Sequence, residues 1–178
     1  MKEYRILSAT GADRPGIVHD VSELLFSHGC NIEDSRMAVL GDQFTLMTLF
    51  SGEVQGLLEL EKELPAFQER AKLSALLTKA VAPHEYKREP SLPVRLEVVA
   101  MDAPGILVQL ANVLHSYRVN IETLDSHISP APTSGSTVFS IKMKVTVPQD
   151  VSLNEVKGAL NNLAGQINLD ILFQPVHE

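Results

Sequence analysis

Residues 13–33, DRPGIVHDVSELLFSHGCNIE, return without a gap as residues 102–122, DAPGILVQLANVLHSYRVNIE. Asp, Pro, Gly and Ile coincide at the start of the two copies, and Asn, Ile and Glu coincide at the end. Between these anchors the apolar residues fall on one helical face. They are Ile17, Val21, Leu24, Leu25 and His28 in the first copy, and Ile106, Leu110, Val113, Leu114 and Tyr117 in the second. Their spacing is the 3.6-residue period of an amphipathic helix. Each copy opens where a strand hands over to a helix and closes where the helix hands back, so a whole structural unit is duplicated.

Outward from the repeat, Arg5–Ala9 reads as a strand before the first copy. Residues 32–40 and 44–50 read as a hairpin after it, joined through Gly41 and Asp42. Ser51 is the expected cap of a second helix with Glu53 in its first turn. That helix carries Leu57, Leu58, Leu64 and Phe67, and Pro65 marks a bend or restart in it. Residues 74–81 close the half. The second half repeats the order, with Val94–Ala100, a strand opening at Ile121, strict alternation from Thr137 to Val147, Ser152 and Glu155 at capping-box spacing, and a strand over 168–173. Its hairpin is enlarged by the polar loop 129–136. Each half is thus expected to be an α+β, ferredoxin-like βαββαβ domain, a four-stranded antiparallel sheet with two helices on one face. The expected divisions are a first domain over 1–83, a linker over 84–92 holding Pro83, Pro90 and Pro93 at or beside its ends, and a second domain over 93–178.

At 178 residues, the length suits two units of about ninety residues. With 44% hydrophobic and 21% charged residues, no apolar run reaches the roughly 18 residues of a membrane span, and Met1–Tyr4 leads into a strand pattern. A soluble cytoplasmic protein without membrane contact is expected. The net charge of −7 opposes direct nucleic-acid binding, which draws on Lys and Arg displacing counterions. The single Cys30 matches Val119 and is expected to be a small buried apolar side chain.

Pro15 and Pro104 suit the first turn of a helix. Gly16 and Gly105 lack the Cβ that would keep a ligand away from the first helical N–H groups. Such a terminus favours a carboxylate. Asp13 and Asp102 either cap the helix or hold an ammonium group, and Asn31 and Asn120, at the start of the next strand, offer both a donor and an acceptor. Together these groups suit a small zwitterion. The alternative reading is structural, with Asp as a cap and Asn as a turn residue.

The segments DRPGIV, GCNIEDSRMAVLG and FTLMTLFSG, with their counterparts in the second half, resemble the ACT domain, a small regulatory module that senses amino acids. The resemblance implies ligand contact at Asp13, Arg14, Pro15, Gly16, Ile17 and Asn31, and at Asp102, Ala103, Pro104, Gly105, Ile106 and Asn120, often where two such domains meet. It further implies an amino-acid ligand, glycine favoured, a homo-oligomer, and repression of transcription exerted through a DNA-binding partner such as a LysR-type activator. A module regulating a metabolic enzyme in trans is the alternative. A His that some amino-acid-binding members carry is replaced by Gly11 and Ala100. Arg14 is matched by Ala103, so the two sites are expected to differ in affinity.

Neither a metal nor a cofactor is expected. His19, His28, His84, His115, His127 and His177 show no metal-ligand spacing. No phosphate loop, nucleophile elbow or catalytic triad is present in the sequence, so enzymatic activity is not expected. The acidic run Glu59, Glu61 and Glu63 reads as a solvated helix face.

Overall fold

The computed structural model describes residues 2–86, 89–130 and 135–176. Linker positions Lys87 and Arg88, residues 131–134 of the enlarged hairpin loop, and His177 lie outside the described residues. The chain divides into two compact units, Met1–Lys87 and Arg88–Glu178.

The first unit runs β1 (Lys2–Ala12), α1 (Ile17–Ser27), β2 (Asn31–Leu40), β3 (Gln43–Glu53), α2 (Val54–Ala71) and β4 (Ser74–Ala80). Its strands pair antiparallel in the order β2-β3-β1-β4. The second runs β5 (Ser91–Met101), α3 (Ile106–Ser116), β6 (Asn120–Pro130), β7 (Thr137–Pro148), α4 (Leu153–Ile167) and β8 (Leu169–Pro175), with the order β6-β7-β5-β8. The βαββαβ pattern is realised twice.

Alternation in the central strands decides which face is dry. Leu7, Ala9, Phe44, Leu46 and Phe50 point inward to meet Ile17, Val21, Leu24 and Leu25 of α1 and Leu57, Leu60, Leu64 and Phe67 of α2. In the second unit, Val94, Leu96, Val98, Ile141, Met143 and Val145 meet Ile106, Leu110, Leu114, Val156 and Leu160. Each fully buried side chain of this size contributes about 1.5–3 kcal/mol before entropy is counted. Cys30 is half-buried against the core of the first unit, and burial pushes its thiol up, away from the reactive thiolate.

Several local expectations are corrected. Strand β1 extends beyond Arg5–Ala9 at both ends, because its polar flanks find partners in β3 and carry no apolar signal of their own. Strand β5 begins at Ser91, inside the segment read as linker, and the carbonyl of Pro93 accepts from Val176 N–H at 2.9 Å. Ser51 does not cap α2. It stays in β3 between Tyr4 and Asn31, is 1% exposed, and donates to Glu33. Glu53 then takes the cap position, with no side-chain cap bond. Leu58 is exposed and Leu60 buried, which sets the phase of α2, and this helix runs unbroken through Pro65. Ser152 does cap α4, accepting from the Glu155 N–H.

Candidate functional site

The two Asp-x-Pro-Gly segments form the same turn. Gly16 has φ 90° and ψ −4°, and Gly105 has φ 89° and ψ 1°. These are the values of the third residue of a type II turn, which glycine adopts without strain and which follows a proline well. The prolines therefore stand one residue before the helix cap, outside the first turn where the sequence placed them. The glycine carbonyl already accepts the first helical bond, from Asp20 N–H at 2.9 Å and from Gln109 N–H at 3.1 Å. No side chain caps either helix, so Asp13 and Asp102 do not act as caps. Their own N–H groups bond back to the Asp42 and Thr137 carbonyls, pinning each loop to the far end of its hairpin.

Neither turn glycine is closely packed. The nearest described atom to a Cβ built on Gly16 would be the Arg14 guanidinium at 3.8 Å. On Gly105 it would be Gln109 and Val108 at 3.9 Å. The first N–H groups of any helix lack an intrahelical partner, and the positive end of its dipole lies there too. Arg14 is held over the first tip, donating to Asp20 at 2.6 Å and to the Ala71 carbonyl at 3.1 Å. Ala103 leaves the second tip without such a strap. Ile17 and Ile106, expected to contact a ligand, are buried core residues beneath the tips.

The amides stand elsewhere. Asn31 lies opposite Ser51, which lies opposite Tyr4, whereas the loop follows Ala12 at the other end of β1. Eight residues of strand separate Tyr4 from Ala12, roughly 27 Å. Asn120, opposite Thr146, is set apart from Met101 and the second loop in the same way. Each 11-residue helix carries the chain back along its sheet. Within one unit, then, the tip and the amide do not meet. Asn31 donates to Glu33 Oε1 at 3.2 Å, and Ser51 Oγ donates to the same oxygen at 2.7 Å. These two bonds hold the Glu33 carboxyl below its ordinary range.

A groove of about 260 Å³ opens between α1 and α2, lined by His19, Asp20, Glu23, Glu63 and Arg70 among others. The acidic run is not simply solvated: Glu61 pairs with Arg5, Glu63 faces His28 Nε2 and Arg70, and Glu59 accepts from Gln55. His28 is packed, its Nδ1 2.8 Å from the Leu24 carbonyl. Among the described residues no cluster of three or more His, Cys, Asp or Glu side chains is placed to hold a metal, and no helix is long and apolar enough to cross a membrane.

The model of the ACT domain matches residues 3–78. A UPF0237 protein of Streptococcus mutans is 42% identical over 65 residues, 36% of this chain and 74% of that protein. The chain belongs to the ACT domain family. Two further similarities span both ACT units. The glycine cleavage system transcriptional repressor of Escherichia coli is 29% identical over 169 residues, covering 94% of this chain and 87% of the repressor. A protein of Galdieria sulphuraria of solved structure is 29% identical, with a TM-score of 0.82 over 99% of this chain and 100% of that one. The chain is accordingly a regulatory, tandem ACT-domain protein that resembles the repressor.

Proposed function

We propose that this protein senses a small amino acid, glycine favoured, and represses transcription through a DNA-binding partner protein of the LysR type rather than by touching DNA. The observation that carries the reading is the pair of Asp-x-Pro-Gly turns whose glycines, at φ near 90°, start each helix without a side-chain cap, a terminus that suits a carboxylate. The similarity to the repressor along most of the chain supports the regulatory role, and the net charge of −7 favours a protein partner over DNA.

Because a tip and an amide of one unit lie far apart, a ligand held by both draws them from different copies of the chain. Strand β2 is exposed along its whole length, and an unpaired edge of this kind invites a second copy. The ligand then shifts the assembly by its difference in affinity for the associated and separate forms. Thermal unfolding in the presence of each common amino acid tests this. A ligand that binds the folded form raises Tm, and glycine is expected to do so. Absence of a shift with every amino acid would refute the sensor reading, and recovery of a metabolic enzyme instead of an activator in pull-downs would refute the partner.

A further inference from the structure

The duplicated Asn-Ile-Glu motif ends in a β-bulge in both units: the register passes from Ile32 opposite Phe50 to Asp34 opposite Leu49, and from Ile121 opposite Val145 to Thr123 opposite Lys144. The extra residue is Glu33 in one and Glu122 in the other, and a bulge re-aims the side chain it carries. In the first unit that side chain turns toward Asn31. We propose that Glu33 is a positioning residue of the amino-acid site: it fixes the Asn31 amide with its nitrogen held inward and its carbonyl oxygen left to accept from a ligand's ammonium group. This rests on the amino-acid-binding reading given above.

The chain of bonds starts at a rigid anchor. Ser51 is 1% exposed, and its hydroxyl donates to Glu33 Oε1 at 2.7 Å. The same oxygen accepts from Asn31 Nδ2 at 3.2 Å, and Nδ2 also lies 3.4 Å from the Ile32 carbonyl. Both acceptors face the amide nitrogen, so the opposite flip would place an oxygen against oxygens. Recognition depends on this choice, since an ammonium group has only hydrogens to offer.

The two units differ here. Beside the bulge, the first unit has Leu49 where the second has Lys144, whose Nζ is 3.7 Å from Glu122. Glu33 has no described cation within ion-pair distance, so its carboxylate serves the amide and the hydroxyl.

Glycine titrated calorimetrically into the full chain tests the proposal. Glu33→Ala is expected to weaken binding about tenfold, while Glu33→Gln, which keeps an acceptor oxygen, stays within about threefold of wild type. In an Asn31→Ala background, Glu33→Ala should add nothing, because the two act as one unit. Equal losses in the Gln and Ala variants, or additive effects with Asn31→Ala, would overturn the assignment. If wild type takes up no glycine, the functional reading itself falls. Unmoved Asn31 side-chain amide signals in the NMR spectrum of ligand-free Glu33→Ala sink only the positioning.

Discussion

The α-carbon of Gly56 lies so close to the His28 carbonyl that a Cβ at position 56 would stand 2.3 Å from that oxygen. Helix α2 begins its course there, directly against the end of α1. Gly56→Ala should therefore destabilise the protein by about 1–3 kcal/mol through forced displacement of backbone, despite alanine's better helix propensity. Gly158 in α4 has open space around the same position. Gly158→Ala should stabilise by about 0.5–1 kcal/mol, so one substitution at two helical glycines gives opposite signs in urea unfolding.

Arg5 occupies a core-facing position whose counterpart is the fully buried Val94. Its guanidinium reaches Glu3 at 2.8 Å, but its Nε has no hydrogen-bond acceptor. A buried charge with an incomplete set of bonds is replaced at little cost by an apolar side chain of similar size. Arg5→Met should be neutral or stabilising, by up to about 3 kcal/mol in chemical denaturation; a clear loss would mean that the Glu3 and Glu61 contacts outweigh the desolvation.

Pro65 sits inside the 18-residue helix α2 and has no N–H to offer the preceding turn. Its side chain is exposed, so nothing in the core depends on the ring. Pro65→Ala is expected to raise stability by about 1–3 kcal/mol, measured as a higher midpoint in urea.

Stability should fall on acidification. The carboxyls of Glu33, held by Ser51 and Asn31, and of Asp150, held by the Arg118 hydrogen bond, titrate below their ordinary range in the folded chain. Approached from neutral pH, the unfolded chain takes up these protons first. The contribution is therefore complete above the ordinary carboxyl range of about 4 and is lost as pH drops through the lower folded values. Asp150→Asn with Glu33→Gln should flatten the acid limb of a stability-versus-pH curve; an unchanged slope would show that other carboxyls dominate it.

The fold was legible because both helices of the repeat keep a strict apolar period and the third strands alternate without interruption, as from Thr137 to Val147. Ser51 misled because Ser-Gly-Glu before an apolar run looks like a helix start, yet pairing with Tyr4 and Asn31 keeps it in the sheet. Tertiary hydrogen bonding outweighed a local cap. The separation of Asp13 from Asn31 was available in principle, since α1 joins two parallel strands, β1 and β2, and must return the chain to the end where β1 began. Adjacency in the repeat concealed it. The Asn31–Glu33–Ser51 cluster depends on a one-residue register shift, which leaves no trace in hydrophobic periodicity.

The bulge on each outer strand has a bearing on solubility. A long, flat strand with unpaired amides is a template on which further copies can stack into fibres. In β2 and β6 the extra residue twists the first few positions out of line with the rest, so an incoming strand can match only the segment beyond it. Each bulge thereby denies the uninterrupted ladder that runaway aggregation needs.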